Sequence, residues 1–128
     1  MKLLLDTHVL LWAAIGQLPK KARGLIEDTA NRLFFSPASL WEIAIKRALK
    51  RDDFQVDAAL LYAGLLESGY EELPMTGRHV LFIDTLPPIH KDPFDRVLIA
   101  QALAEEMTFV TADGKLTAYP GAFIKVTP

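Results

Sequence analysis

The sequence predicts an α/β protein, a three-layer α/β/α sandwich with a central, mainly parallel five-stranded sheet. Two observations carry that expectation. Short apolar runs at Lys2–Asp6 and Arg32–Ser36 have the composition of strands buried on both faces. They alternate with longer stretches of helical periodicity, the order that βαβ units require. The 128 residues are 51 % hydrophobic, enough for one domain, residues 1–128, with a substantial core. Neither an internal repeat nor a low-complexity linker interrupts the chain.

Each element follows from local signals. Lys2–Asp6 reads as the first strand, and Thr7–Ile15, apolar all round, as a helix stopped by Gly16. Pro19–Ala30 opens on a proline at a plausible first helical position and keeps Ala22, Leu25, Ile26 and Ala30 at helical spacing. Arg32–Ser36 (RLFFS) is the second strand. In SPASLWEIAIKRALKR, Ser36 is a good N-cap and Pro37 suits the first turn. Asp57–Ser68 reads as a helix, Tyr70–Leu73 as a short strand before Pro74, and Gly77–Leu86 as a helix stopped by Pro87-Pro88. Pro93–Glu106, capped by Asp92, carries a complete helix-start signature. Thr108–Thr111 and Phe123–Val126 supply the last strands.

Lys2 followed by leucines imitates a signal peptide, but Asp6 and His8 interrupt the apolar run. The longest stretch without a charged residue, Thr7 to Pro19, is too short to cross a bilayer. A soluble, cytoplasmic protein with no membrane partner is therefore expected, and the absence of cysteine fits a reducing compartment. The net charge of −2 is uninformative about an anionic partner, because setting aside four particular carboxylates leaves 14 basic against 12 acidic side chains.

Those four carboxylates are the chemical centre of the sequence. In open α/β sheets, ligands bind beyond the carboxyl ends of strands. Asp6 ends the first strand, and Asp113 lies two residues past TFVT. Each acid also has an ordinary explanation. Asp6 suits a helix cap. Glu42 completes an S-x-x-E capping box with Ser39, unless the helix starts at Ser36-Pro37, which leaves it among Leu40, Trp41, Ile43 and Ala44. Asp95, third in its helix, gains from the helix dipole, and Asp113-Gly114 is a turn dipeptide. Together they describe something more specific: carboxylate oxygens converging from separate elements, the environment that a hard cation such as Mg²⁺ requires.

The stretches LLLDTHVLLW, SPASLWEIAIK, HKDPFDRVLIAQA and FVTADGKL occur in this order, and on them the chain resembles the PIN-domain ribonucleases, specifically the VapC-like toxins of type II toxin–antitoxin systems. The resemblance runs nearly end to end. It implies a PIN-like sandwich and an endoribonuclease dependent on Mg²⁺ or Mn²⁺. The family's acids fall on Asp6, Glu42, Asp95 and Asp113 as catalytic and metal-binding residues, while Asp92 matches a variable position and stays a cap. Asp6 and Asp95 are expected as direct ligands, with Glu42 and Asp113 orienting ligand waters. An RNA substrate, a homodimer and a cognate antitoxin whose tail blocks the site are implied as well.

Other readings stay open beside it: a non-toxin PIN nuclease, a catalytically silent PIN binding module, and an Asp-dependent phosphohydrolase. The last typically carries a second Asp two residues after the first, where this chain has His8. Histidine catalysis would need partners, and His8, His79 and His90 occupy three different segments. Lys46, one turn after Glu42, is a candidate for contacting substrate phosphate, although the helix dipole favours cations at the same positions. Arg96 is expected to pair with a neighbouring acid. Trp12 and Trp41 occupy helical apolar positions and are expected in a core or dimer interface rather than stacked on bases. The segment YAGLLESGYEEL is apolar enough to meet a partner helix.

Overall fold

The computed structural model describes residues 1–127. Five strands, β1 (Lys2–Leu5), β2 (Arg32–Phe35), β3 (Glu71–Glu72), β4 (Thr108–Thr111) and β5 (Phe123–Lys125), form one sheet in the order β3-β2-β1-β4-β5. Every pairing is parallel. Strand β1 is central, with Leu3 opposite Leu33 on one side and Thr108 on the other.

The period of two along each strand divides the interior into two cores. Leu3, Leu5, Phe35 and Val110 face one way, and Leu4, Phe34 and Phe109 the other. The helices are α1 (Thr7–Ala14), α2 (Lys20–Glu27), α3 (Pro37–Ala48), α4 (Ala58–Glu67), α5 (Gly77–Phe82) and α6 (Pro93–Ala104). Helices α1, α2 and α4 cover the first face through residues such as Leu10, Ala22, Leu61 and Leu65. Helices α5 and α6 cover the second, where Leu98, Ile99 and Ala100 are wholly enclosed. Helix α3 contributes Ile43 to one core and Ala38 to the other, so it straddles the rim between them. The expected α/β/α sandwich is thus present, and the sheet is parallel throughout.

Element boundaries differ where local hydrogen bonds compete with the ladder or the helix. Helix α2 stops at Glu27 because the Asp28 carboxylate accepts the Ala30 N–H at 2.9 Å and turns the chain. The strand expected at Tyr70–Leu73 shrinks because Tyr70 N–H is taken by Leu65 O at the end of α4, although Leu73 N–H still donates to Phe35 O. Helix α5 is shorter than Gly77–Leu86. Its last turn tightens into a 3₁₀ segment, Ile83–Thr85, where the Thr85 hydroxyl donates to Phe82 O ahead of Pro87. Two further 3₁₀ turns, Asp52–Phe54 and Gly114–Ala118, each bury one apolar residue, Phe54 and Leu116. Among the described residues no helix is long and apolar enough to cross a membrane.

Candidate active site

Strand β1 ends at Leu5, and Asp6 N–H continues the ladder by donating to Val110 O at 2.9 Å. Asp6 is then free to turn its carboxylate across the carboxyl rim of the sheet. Oδ1 accepts the Thr7 N–H at 2.7 Å and caps α1, while Oδ2 accepts the Thr111 hydroxyl at 2.6 Å. The ordinary and the chemical readings of Asp6 are therefore compatible. Burial pushes its carboxyl up to about 6, against the pull of the hydrogen bonds from Thr111 and Thr7.

Thr111 ties two of the acids together. Its Oγ1 donates to Asp6 and accepts the Asp113 N–H at 3.1 Å. Asp113 in turn caps the Gly114–Ala118 turn by accepting the Lys115 N–H at 2.9 Å. On the other side of Asp6, the Thr7 hydroxyl donates to Ser39 Oγ at 2.9 Å and joins α1 to the first turns of α3. Sequence reasoning missed Thr7, Ser39 and Thr111 as supports. Replacing Thr111 with Val removes the link between Asp6 and Asp113 at nearly constant shape, and on the metal-binding reading of these acids a drop of about 10–100-fold in Mg²⁺ affinity is expected by titration calorimetry.

Helix α3 starts at Ser36, whose Oγ accepts the Ala38 N–H, with Pro37 in its first turn. That start removes the capping-box role of Glu42 and places it in the second turn, 3 % exposed. Glu42 Oε2 accepts a hydrogen bond from Lys46 Nζ at 2.5 Å, and Oε1 is buried with no hydrogen-bond partner among the described residues. A buried, unpaired carboxylate oxygen is costly and wants a cation or a water.

Lys46 bridges α3 to the start of α6. Its Nζ lies 3.8 Å from Asp92 Oδ2, 4.8 Å from the Phe54 ring centre and 5.9 Å from that of Phe94. Burial alone would push the ammonium down, but the hydrogen bond and charge of Glu42, with the charge of Asp92, hold it above its ordinary value. Asp92 caps α6 by accepting the N–H groups of Phe94 and Asp95, and Pro93 follows in the first turn.

Asp95 is the most perturbed acid. Burial is the largest cause, and the charges of Asp6, Asp92, Glu42 and Asp113 add to it, pushing its carboxyl up to about 8. The charges of Asp6, Glu42 and Asp113 are thus all felt at Asp95, although Asp6 and Glu42 lie outside the group whose ligand atoms fall within 4.8 Å of one another among the described residues. His90 belongs to that group: its Nδ1 lies 3.7 Å from Asp95 Oδ2, and His90, Asp95 and Asp113 can each present a ligand atom within 4.8 Å of the other two. Its only signal in the sequence was a place in the loop before α6.

Other expectations need correcting. Arg96 does not pair with Asp95. Its guanidinium donates to the carbonyls of Pro87 and Ile83 and to Tyr119 Oη, bracing the loop that carries His90. Of the core or dimer interface expected for Trp41, its 58 % exposure excludes only the core, and its ring stands perpendicular to Phe94 at 5.2 Å. His8 lies close enough to Asp6 for its charge to lower that carboxyl, yet its Nε2 faces Asp53 Oδ2 at 3.3 Å and its ring packs on Phe54. An apolar groove of about 570 Å³, lined by Leu18, Leu33, Leu60, Leu61 and Leu65 among others, holds none of the four acids.

A parallel sandwich that gathers acids from β1, α3, α6 and the end of β4 at one rim has the architecture of a PIN domain. The family model of that description, PIN domain, matches residues 3–122, and the chain belongs to this family. Solved structures share its fold. VapBC2 from Rickettsia felis, bound to a DNA fragment from its promoter, has a TM-score of 0.73 at 17 % identity, covering 98 % of this chain and 99 % of that one. DNA-bound VapBC from Salmonella typhimurium has a TM-score of 0.71 at 18 % identity, with 98 % of each chain covered. FitAcB from Neisseria gonorrhoeae has a TM-score of 0.64 at 19 % identity, with 96 % of each covered. No curated protein matches the chain.

Proposed function

We propose that this protein is a metal-dependent endoribonuclease of the cytoplasm, the toxin of a toxin–antitoxin pair. Membership of the PIN family implies a nuclease. The observation that carries the reading is Asp95, whose carboxyl is pushed up to about 8 by burial and by four acids around it. Such a cluster is poorly compensated by the protein itself, and the unpaired Glu42 Oε1 adds to the deficit. The donor set, all carboxylate oxygen with one imidazole, suits Mg²⁺ or Mn²⁺.

Asp6 and Asp95 would hold the ion directly with Glu42 and Asp113 orienting its waters, and when bound it neutralises phosphate charge and makes water more acidic. The remaining work belongs to the chain. Thr111 and the Thr7 N–H keep the Asp6 oxygens in one orientation. Glu42 Oε1, which has no partner among the described residues, is the oxygen to take the proton of the attacking water. Lys46 offers its charge to a phosphate oxygen. In-line attack forms the new P–O bond while the bond to the 3′ oxygen breaks, leaving 5′-phosphate and 3′-hydroxyl ends.

The VapBC and FitAcB structures, complexes by their names, support an antitoxin partner. We assign that partner a segment with an Arg or Lys that enters the acids and apolar side chains that seat in the groove along Leu33, Leu60 and Leu65. A homodimer completes the proposed assembly. Cleavage is expected to stop in EDTA, to return with Mg²⁺ or Mn²⁺, and to yield 5′-phosphate ends on sequencing. Cyclic 2′,3′-phosphate ends or full activity in EDTA would point to histidine chemistry instead, and no cleavage of any RNA would leave the silent binding module.

A further inference from the structure

Trp41 and Phe94 each precede an acid of the site by one residue, Glu42 on α3 and Asp95 on α6. Their rings meet at 5.2 Å and 83°, edge to face. That geometry leaves at least one indole face uncovered, which agrees with an exposure of 58 % for Trp41. Exposure alone says little, since single apolar side chains are common at protein surfaces. Here the position is informative: the Phe94 ring that holds Trp41 also lies 5.9 Å from Lys46 Nζ, and that ammonium is hydrogen-bonded to Glu42. Aromatic face, cation and carboxylate cluster therefore succeed one another across the junction of α3 and α6.

We infer that Trp41, buttressed by Phe94, is a stacking subsite for an unpaired nucleobase next to the scissile phosphate. This rests on the ribonuclease reading above and extends it. Aromatic side chains accept any base through its π-face, but only when the base is not already stacked and paired in a duplex. Lys46 serves the adjoining phosphate, so base and backbone are held on neighbouring groups of one wall. Trp12 does not make an equivalent platform. Its surroundings include Asp52 and Asp53, which repel the backbone of a nucleic acid.

The chain has two tryptophans, so Trp12→Phe leaves Trp41 as the sole indole reporter. In Ca²⁺, a cation of the same ligand preference, a single-stranded oligoadenylate is expected to quench Trp41 emission saturably, and a duplex RNA of equal length is not. In Mg²⁺, Trp41→Ala is expected to raise KM for the single strand about tenfold with little change in kcat, and Trp41→Phe to restore most of the loss. Emission indifferent to the oligoadenylate, equal quenching by duplex, or an unchanged KM would overturn the subsite while leaving the nuclease intact. Conversion of a dimer to a monomer by Trp41→Ala in sedimentation would overturn it too, assigning the ring to a subunit contact. Quenching by a protein that cleaves no RNA would instead sustain the subsite and remove the catalytic reading.

Discussion

On the proposed function, Asp95→Asn is expected to lower kcat/KM for RNA by about three orders of magnitude or more, because the charge removed would help to hold and neutralise the ion. The same change is expected to make the metal-free protein more stable. Asp95 is surrounded by Asp6, Asp92, Glu42 and Asp113, so its ionised form is opposed both by burial and by four like charges. An amide of the same shape escapes both. Counter-ions relieve part of the repulsion, which leaves a gain on the order of 2 kcal/mol. Asp6→Asn should inactivate equally but stabilise less. Its two oxygens accept from Thr7 N–H and Thr111 Oγ1, and an amide supplies one carbonyl oxygen for two donors. Cleavage assays in Mg²⁺ and urea unfolding in EDTA measure the two effects separately. Near wild-type cleavage by Asp95→Asn would remove that residue from the mechanism.

The metal-free protein is expected to lose stability as pH rises from about 4 to about 8. Asp95 moves from an ordinary 3.8 up to about 8 on folding, and Asp6 to about 6. Between the unfolded and folded values the native state binds more protons than the unfolded chain, so the unfolding free energy falls with pH across that window. Below about 4 both forms are protonated and the two carboxyls contribute no slope; above about 8 both are ionised and the loss is complete. Saturating Mg²⁺ should flatten the slope and add stability of its own by binding the native state. Asp95→Asn should remove the fall between about 6 and about 8 and about half of the slope between about 4 and about 6, where Asp6 still contributes. Melting temperatures across pH in EDTA, with and without excess Mg²⁺, test this, and stability rising with pH in EDTA would contradict it.

Much of this site was legible because its acids sit at element ends that announce themselves. The apolar run before Asp6, the Ser36-Pro37 start that strands Glu42 in a buried turn, the Asp92-Pro93 start of α6 and TFVT before Asp113 are all local signals. What supports the acids was not legible. Thr7, Ser39 and Thr111 are small polar residues with many possible partners, and the Thr111–Asp6 bond spans 105 positions. Arg96 was misread because adjacency in sequence suggests charge pairing, whereas a helix points neighbours in different directions. For Trp41, expected in a core or a dimer interface, exposure excludes the core alone: an apolar residue at helical spacing announces a face, not what that face meets. Short 3₁₀ turns that bury Phe54 and Leu116 have no periodicity to read.

The position of β1 at the centre of the sheet has a kinetic side. Leu3 pairs with Leu33 early in the chain but with Thr108 only near its end. On the ribosome, β1, β2 and β3 can zip together while one edge of β1 waits for β4. Asp6 and Glu42 then exist for most of synthesis without Asp95, Thr111 and Asp113. Long-range parallel pairing is slow to form because loop closure precedes its reward. The pairing that completes the centre of the sheet is therefore also the one that carries Thr111 and Asp113 to the rim beside Asp6.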